Sequence, residues 1–216
     1  MGERVILTAA PESEHAALGE LRREGLHAYR CAAVQEESFP HRHTPTSEHR
    51  APGPCRLAPG ILRFDLPGTF TDLAAAFRER PPIFIRHLQP VDREVALAGD
   101  LGDLERLEAA ALALTPRLDP GRSFSVQTRL LSSLVPHPSS LPPPYGRFEV
   151  NERLAAALRA ATGVPLDVRA PEQVLSVMVT PAVGSVGLSR VEDNLSAWAG
   201  GAIRFAREPD QVSRSE

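Results

Sequence analysis

Prolines dictate where this chain can be regular. Residues 39–60 contain five of them, with three histidines and few large apolar groups. A residue with a fixed φ and no N–H does not sit inside a helix or a central strand, so the segment is predicted to be an exposed, mobile loop. Pro136, Pro138, Pro142, Pro143 and Pro144 form a second cluster, expected to run extended and stiff. The core must therefore come from short periodic pieces on either side of these clusters. No internal repeat of solenoid period organises them.

In the first block, Val5–Ala9 reads as a strand, Ala17, Leu18 and Leu21 recur at helical spacing with Gly25 as a stop, and His27–Val34 reads as a second strand ending before the polar run 35–38. Ile61–Leu66 reads as a strand, Phe70–Arg78 as a helix with Leu73 and Phe77 on one face, and Ile83–Leu88 as a strand. The order βαββαβ resembles the ferredoxin-like arrangement, in which two crossovers place both helices on one face of an antiparallel sheet.

The second block opens with a helix in which Asp103 is expected as the cap, Leu104, Leu107, Ala111 and Leu114 share a face, and Pro116 ends the run. Ser123–Leu130 is strand-like. Phe124, Val126 and Thr128 fall on one side, and Ser125, Gln127 and Arg129 on the other, a polar face open to a ligand. Asn151 is expected to cap a helix carrying Leu154, Leu158 and Ala161 and closed by Gly163. Leu166–Arg169, Val174–Thr180 and Val183–Ser189 complete the set as strands, the last two meeting at a turn around Pro181 and Ala182.

All 24 basic residues are arginine. The absence of lysine excludes a Schiff base, a P-loop lysine and a lysine general base. The formal net charge of -3 is unevenly spread, because residues 117–159 carry six arginines against three acids. A local basic surface on a mildly acidic protein suits phosphate recognition, which depends on the local field. No apolar run approaches the roughly 18 residues that span a bilayer. No basic region followed by an apolar core opens the chain, which is read as soluble and cytoplasmic, with no membrane partner. Cys31 and Cys55 are then expected as free thiols. No Cys-x2-Cys pair accompanies His41, His43 and His49, so no metal site is assigned. Gly184-Ser185-Val186-Gly187 lies in a strand pair with no amphipathic helix after it, and is read as sheet rather than a cofactor loop.

The segment Leu166-Asp167-Val168-Arg169-Ala170-Pro171-Glu172-Gln173-Val174-Leu175-Ser176-Val177-Met178-Val179 resembles the core of a THUMP domain: a strand, an acid-and-proline turn, a long strand, then a strand ending in small residues and leucine at Val183–Leu188. Asn194-Leu195-Ser196-Ala197-Trp198-Ala199-Gly200-Gly201 and Arg204-Phe205-Ala206-Arg207-Glu208 resemble the link between THUMP and catalytic domains in RlmM-type, FtsJ-like ribose 2'-O-methyltransferases of ribosomal RNA. Ser213-Arg214-Ser215-Glu216 is similar to the start of their methyltransferase domain.

The resemblance implies an α+β chain in three parts. Residues 1–95 would be a ferredoxin-like domain with residues 39–60 as its flexible loop, 96–190 a THUMP-like RNA-binding domain, and 191–216 a linker to a Rossmann-like methyltransferase domain absent from this chain. It implies docking of 23S-like ribosomal RNA, or another structured RNA, for a methyltransferase domain in cis or trans. S-adenosyl-L-methionine is expected for the full enzyme. No cofactor, no catalytic residue and no activity are expected of this chain alone. The residues expected at the RNA are Arg117, Arg122, Ser125, Gln127, Arg129, Arg147, Arg153, Arg190, Arg204 and Arg207. The alternative is a non-enzymatic ferredoxin-like or THUMP-like interaction protein that binds a partner through its sheet edges.

Overall fold

The computed structural model describes residues 3–9, 12–23, 35–36, 55–131 and 143–194. The strand expected at 27–34, most of the loop at 39–60, most of the proline connection, and Cys31, His41, His43, His49, Trp198, Arg204 and Arg207 lie outside the described residues. The described residues form an α+β fold, with two sheets and four α-helices among them. Among the described residues no helix is long and apolar enough to cross a membrane.

The first sheet contains β1 (Arg4–Ala9), β2 (Gln35–Glu36), β3 (Cys55–Ala58), β4 (Ile61–Asp65) and β5 (Ile85–Val91), in the order β2-β3-β4-β1-β5. The central strand β1 runs antiparallel to both β4 and β5. Its alternation serves two cores. Val5 and Leu7 pack with Leu18 and Leu21 of α1 (Glu14–Arg23) and with Phe70, Leu73 and Phe77 of α2 (Phe70–Glu79), whereas Ile6 points to the opposite face, towards Met178. Both helices therefore cover one side of the sheet. The apolar positions read at helical spacing in α1 and α2 are those that the sheet buries. Helix α2 begins at Thr69, whose hydroxyl accepts the Asp72 N–H at 3.1 Å.

Three expectations change in this block. Gln35–Glu36, read as the start of a polar run beyond a strand, is itself β2, paired parallel with β3. Residues 55–58, read as part of the loop, are β3: they form a hairpin with β4 across Gly60, whose φ of 76° suits glycine. The strand read at 83–88 begins at Ile85 instead. The N–H groups of Ile83 and Phe84 go to the buried Glu20 carboxylate at 2.6 and 2.9 Å, so they leave the ladder and their side chains stay exposed.

The chain then crosses between sheets without a loop. After Asp92 it continues as β6 (Arg93–Ala96), a strand not read in the sequence, at the edge of a second sheet of order β6-β9-β8-β7. The other members are β7 (Phe124–Leu130), β8 (Gln173–Val179) and β9 (Val183–Arg190), with β7 and β8 parallel and the remaining pairs antiparallel. Helices α3 (Gly102–Leu112) and α4 (Arg147–Thr162) pack on one face. Leu107, Leu154 and Leu158 meet Phe124, Leu175 and Val177 there, all at most 1% exposed. Burial of such side chains is worth about 1.5–3 kcal/mol each.

The helix starts differ from the reading. Asp103 does not cap α3 but lies inside it, fully buried, and accepts the N–H groups of Ala98 and Gly99 at 2.8 and 2.9 Å and the Tyr145 hydroxyl at 2.9 Å. Burial pushes its pKa up. The Ala98, Tyr145 and Gly99 donors and Arg106 outweigh that and hold the carboxyl below its ordinary range. Asn151 lies within α4, which starts four residues earlier, where the Glu149 carboxylate accepts the Gly146 N–H. Gly163 closes α4 in the left-handed conformation, as the sequence suggests. Of the strand read at 166–169, only Leu166 pairs, by a single bridge to Phe124. The Asp167 carboxylate turns the chain by accepting the N–H groups of Arg169 and Ala170.

Candidate nucleic-acid interface

The arginines expected at the RNA separate into three groups. Arg117, Arg122 and Arg190 come together in one cleft of about 600 Å3, where Phe70 and Thr71 of α2 face Gln173 at the start of β8. The cleft lies where the first sheet and its helices meet one end of the second sheet. Sequence separation hides this grouping.

The cleft is held open by hydrogen bonds to its rim. Gln173 is 4% exposed; its Oε1 accepts the Asp119 N–H at 2.8 Å and its Nε2 donates to the carbonyls of Asp119 and Arg122 at 3.0 and 3.1 Å. It fixes the turn that presents Arg122. On the opposite wall, Arg78 of α2 reaches Asp193 at 3.0 Å and Thr71 donates to the same carboxylate at 3.4 Å. Arg117 pairs with Asp92, Arg122 with Asp119 at 3.2 Å, and Arg190 with Glu192 at 3.8 Å. These pairs are half or more exposed on at least one side, so each contributes at most about 1 kcal/mol and can exchange for a phosphate. The cleft is thus a zwitterionic surface with three displaceable arginines, and not a uniformly basic one.

The second group is covered. Ser125 is 3% exposed and Gln127 is half-buried, because this face of β7 packs towards the first sheet rather than towards solvent. Arg129 donates from a guanidinium nitrogen to His87 Nδ1 of β5 at 2.9 Å. Burial lowers the Arg129 pKa, and burial followed by the charges of Arg129 and Arg86 pushes His87 down to about 3. His87 is therefore neutral and accepts at Nδ1. The polar alternation of β7 was read as a ligand face; it is an interface between two sheets.

The third group lies on α4. Arg153 is tied to Glu108 of α3 at 2.6 Å, while Arg147 sits over the ring of Phe148, 4.7 Å from its centroid. Phe70, Thr71 and Gln173 in the cleft, and Phe148 on α4, were not singled out from the sequence. Phe148 was open to notice as a large apolar residue beside an arginine. The others depend on long-range contacts.

The segment expected as a linker begins inside the fold. Residues 191–193 form a 3-10 turn docked on α2, and Asn194 is fully buried, donating to Ser176 and Ser189 at 2.8 and 3.2 Å.

The glycines of β9 leave no room for S-adenosylmethionine. A Cβ on Gly184 would meet Leu107 at 2.5 Å and one on Gly187 would meet the Pro90 carbonyl at 2.0 Å, and β9 is followed by the 3-10 turn instead of a helix N-terminus. The Gly184-Ser185-Val186-Gly187 segment is therefore not a cradle for this cofactor. Among the described residues, no three His, Cys, Asp or Glu side chains gather as a metal site.

The same fold occurs in solved structures. TrmN from Thermus thermophilus matches at TM-score 0.55 and 22% identity, over 90% of this chain and 47% of TrmN. A predicted N6-adenine-specific DNA methylase from Listeria monocytogenes matches at 0.52 and 13%, over 87% of this chain and 40% of the methylase. SMU.472, a putative methyltransferase complexed with SAH, matches at 0.51 and 15%, over 87% and 41%. The likeness is one of fold. This chain spans less than half the length of these three proteins. No protein-family model matches it, and no curated protein does.

Proposed function

We propose that this chain is the RNA-docking portion of a THUMP-type, S-adenosylmethionine-dependent RNA methyltransferase, with a ferredoxin-like unit followed by a THUMP-like unit. Methyl transfer is assigned to a separate domain in cis or trans, and the substrate is structured RNA, specifically a ribose of large-subunit ribosomal RNA. The observation that carries this reading is the cleft that unites Arg117, Arg122 and Arg190 beside Gln173. Supporting it is a fold shared with a putative methyltransferase whose complex contains SAH, and the surplus of arginine in residues 117–159. Phosphate contacts from this cleft position the RNA, and they carry little sequence information by themselves.

The 216-residue chain is expected to bind 23S ribosomal RNA with an affinity that falls steeply with salt. The double variant Arg122→Glu, Arg190→Glu should weaken binding by roughly tenfold or more and flatten the log–log salt slope by about 1.4–1.8, since each lost phosphate contact removes about 0.7–0.9 from it. Arg23→Glu, at the far end of α1, serves as the control. Filter binding at several salt concentrations measures both quantities. Equal affinities for the two variants would remove the cleft from RNA recognition, and a preference for bulk transfer RNA over 23S RNA would remove the ribosomal substrate.

A further inference from the structure

We infer that Arg147 and Phe148 form a stacking platform for an unpaired base of the docked RNA. The inference rests on the docking reading above and adds a second contact point to it. Phe148 is 70% exposed, among the most exposed large apolar side chains of the molecule. Its neighbour Arg147 covers one face of the ring at 4.7 Å. A ring covered on one face only, yet 70% exposed, has its other face open to solvent.

Three features separate this pair from an ordinary exposed phenylalanine. Of the expected RNA-contacting arginines that are described, Arg117, Arg122, Arg153 and Arg190 each have a carboxylate within 4 Å and Arg129 is half-buried and bonded to His87. Arg147 has only the ring, among the described residues, so its charge is not already neutralised. A guanidinium stacked on an aromatic keeps its N–H groups directed outward, free for a phosphate, while polarising the ring. The pair also occupies the first turn of a 16-residue helix whose other flank is fixed: Val150, Leu154 and Leu158 are buried in the second core, and Glu149 ties Gly146. The helix that carries the platform is therefore fixed, and only the two side chains lose freedom on stacking.

Position gives the platform its distinct role. Helix α4 ends at Gly163, which leads to the bridge between Leu166 and Phe124 at the same end of the second sheet as Gln173. Its first turn is thus at the far end, about 24 Å away along a 16-residue helix. The cleft arginines hold phosphates at one end and the ring meets a base at the other. A duplex hides its base faces, so the ring selects a single-stranded segment or loop.

The test uses the full chain and a short single-stranded oligoribonucleotide carrying 2-aminopurine, whose fluorescence falls when the base stacks. Wild type should quench it. Phe148→Ala should abolish the quench and weaken binding by roughly 5- to 150-fold, following about 1–3 kcal/mol per stacked base. Phe148→Trp should keep both, and Arg147→Ala should lose part of each. The same sequence as a duplex should bind Phe148→Ala and wild type alike. Unchanged single-strand binding by Phe148→Ala overturns the platform, even if the ring then proves to contact a protein; an equal loss on the duplex overturns the stacking. In either case the docking reading stands if Arg122→Glu, Arg190→Glu still weakens 23S RNA binding. If both sets of variants bind like wild type, docking itself fails.

Discussion

Gly187→Ala is expected to lower the melting temperature by roughly 6–12 °C, the equivalent of about 3 kcal/mol in a chain of this size. The added Cβ would lie 2.0 Å from the carbonyl oxygen of Pro90 and 2.6 Å from its carbon. Both are backbone atoms, so no rotamer relieves the contact. Here β5 passes over β9, and the crossing is tied on each side of Gly187. The Asp92 N–H donates to the Val186 carbonyl at 2.9 Å, and the Asp92 carboxylate accepts the Leu188 N–H at 2.8 Å. Opening the crossing to admit a methyl group strains or breaks both bonds. Gly184→Ala meets the ends of the Leu107, Val95 and Leu97 side chains instead, atoms that yield more readily than backbone, and should cost less. Gly19→Ala, with nothing within 4 Å in the middle of α1, should gain about 0.5–1 kcal/mol. Thermal melts of the three variants give the order directly. A Gly187→Ala protein melting with wild type would mean that the strands do not cross this closely.

That crossing also marks the limit of what the sequence discloses. Elements whose pattern is local were legible: Leu73 and Phe77 in α2, and Leu104, Leu107, Ala111 and Leu114 at and just beyond α3, recur at helical period and are buried as a consequence. The long strands β8 and β9 were legible from their branched apolar runs. Arg93–Ala96 was not, since two of these four residues are exposed and two only half-buried, and they take their ladder from β9, about ninety residues later. The alternation of β7 correctly separated Phe124 and Val126 from Ser125, Gln127 and Arg129. Alternation distinguishes two faces, but it does not say what lies against each. Here a second sheet covers the polar one. The cleft was half-visible: surplus arginine at 117–122 is a local feature, but Gln173, Phe70 and Thr71 reach it only through tertiary structure. Charge counting also missed that most of these arginines bring their own carboxylates.

Arg129 is the residue for which this matters most, and acid exposes its role. His87 beside it is held neutral down to about pH 3 by burial and by the charges of Arg129 and Arg86. In the unfolded chain the same imidazole takes up its proton near pH 6.5. The stabilising contribution of the neutral, buried ring is complete above about pH 6.5. It declines as pH falls, because only the unfolded state gains a proton, and it is fully lost once pH passes the folded value near 3. Between pH 7 and pH 5, above the range in which carboxylates titrate, wild type should lose about 2 kcal/mol through this group. His87→Gln, which keeps an acceptor for Arg129 but carries no titrating group, should lose far less over that interval in urea melts. Arg129→Ala leaves a half-buried imidazole nitrogen without its donor and should destabilise by about 1–3 kcal/mol. Its affinity for RNA, measured at pH 7.5 where the variant is folded, should nonetheless match wild type, in contrast to the Arg122→Glu, Arg190→Glu protein. A loss of RNA affinity at Arg129→Ala with an unchanged melt would reverse the assignment: the polar face of β7 would then be reached by RNA, and the packing of the two sheets against it would not be the state that binds.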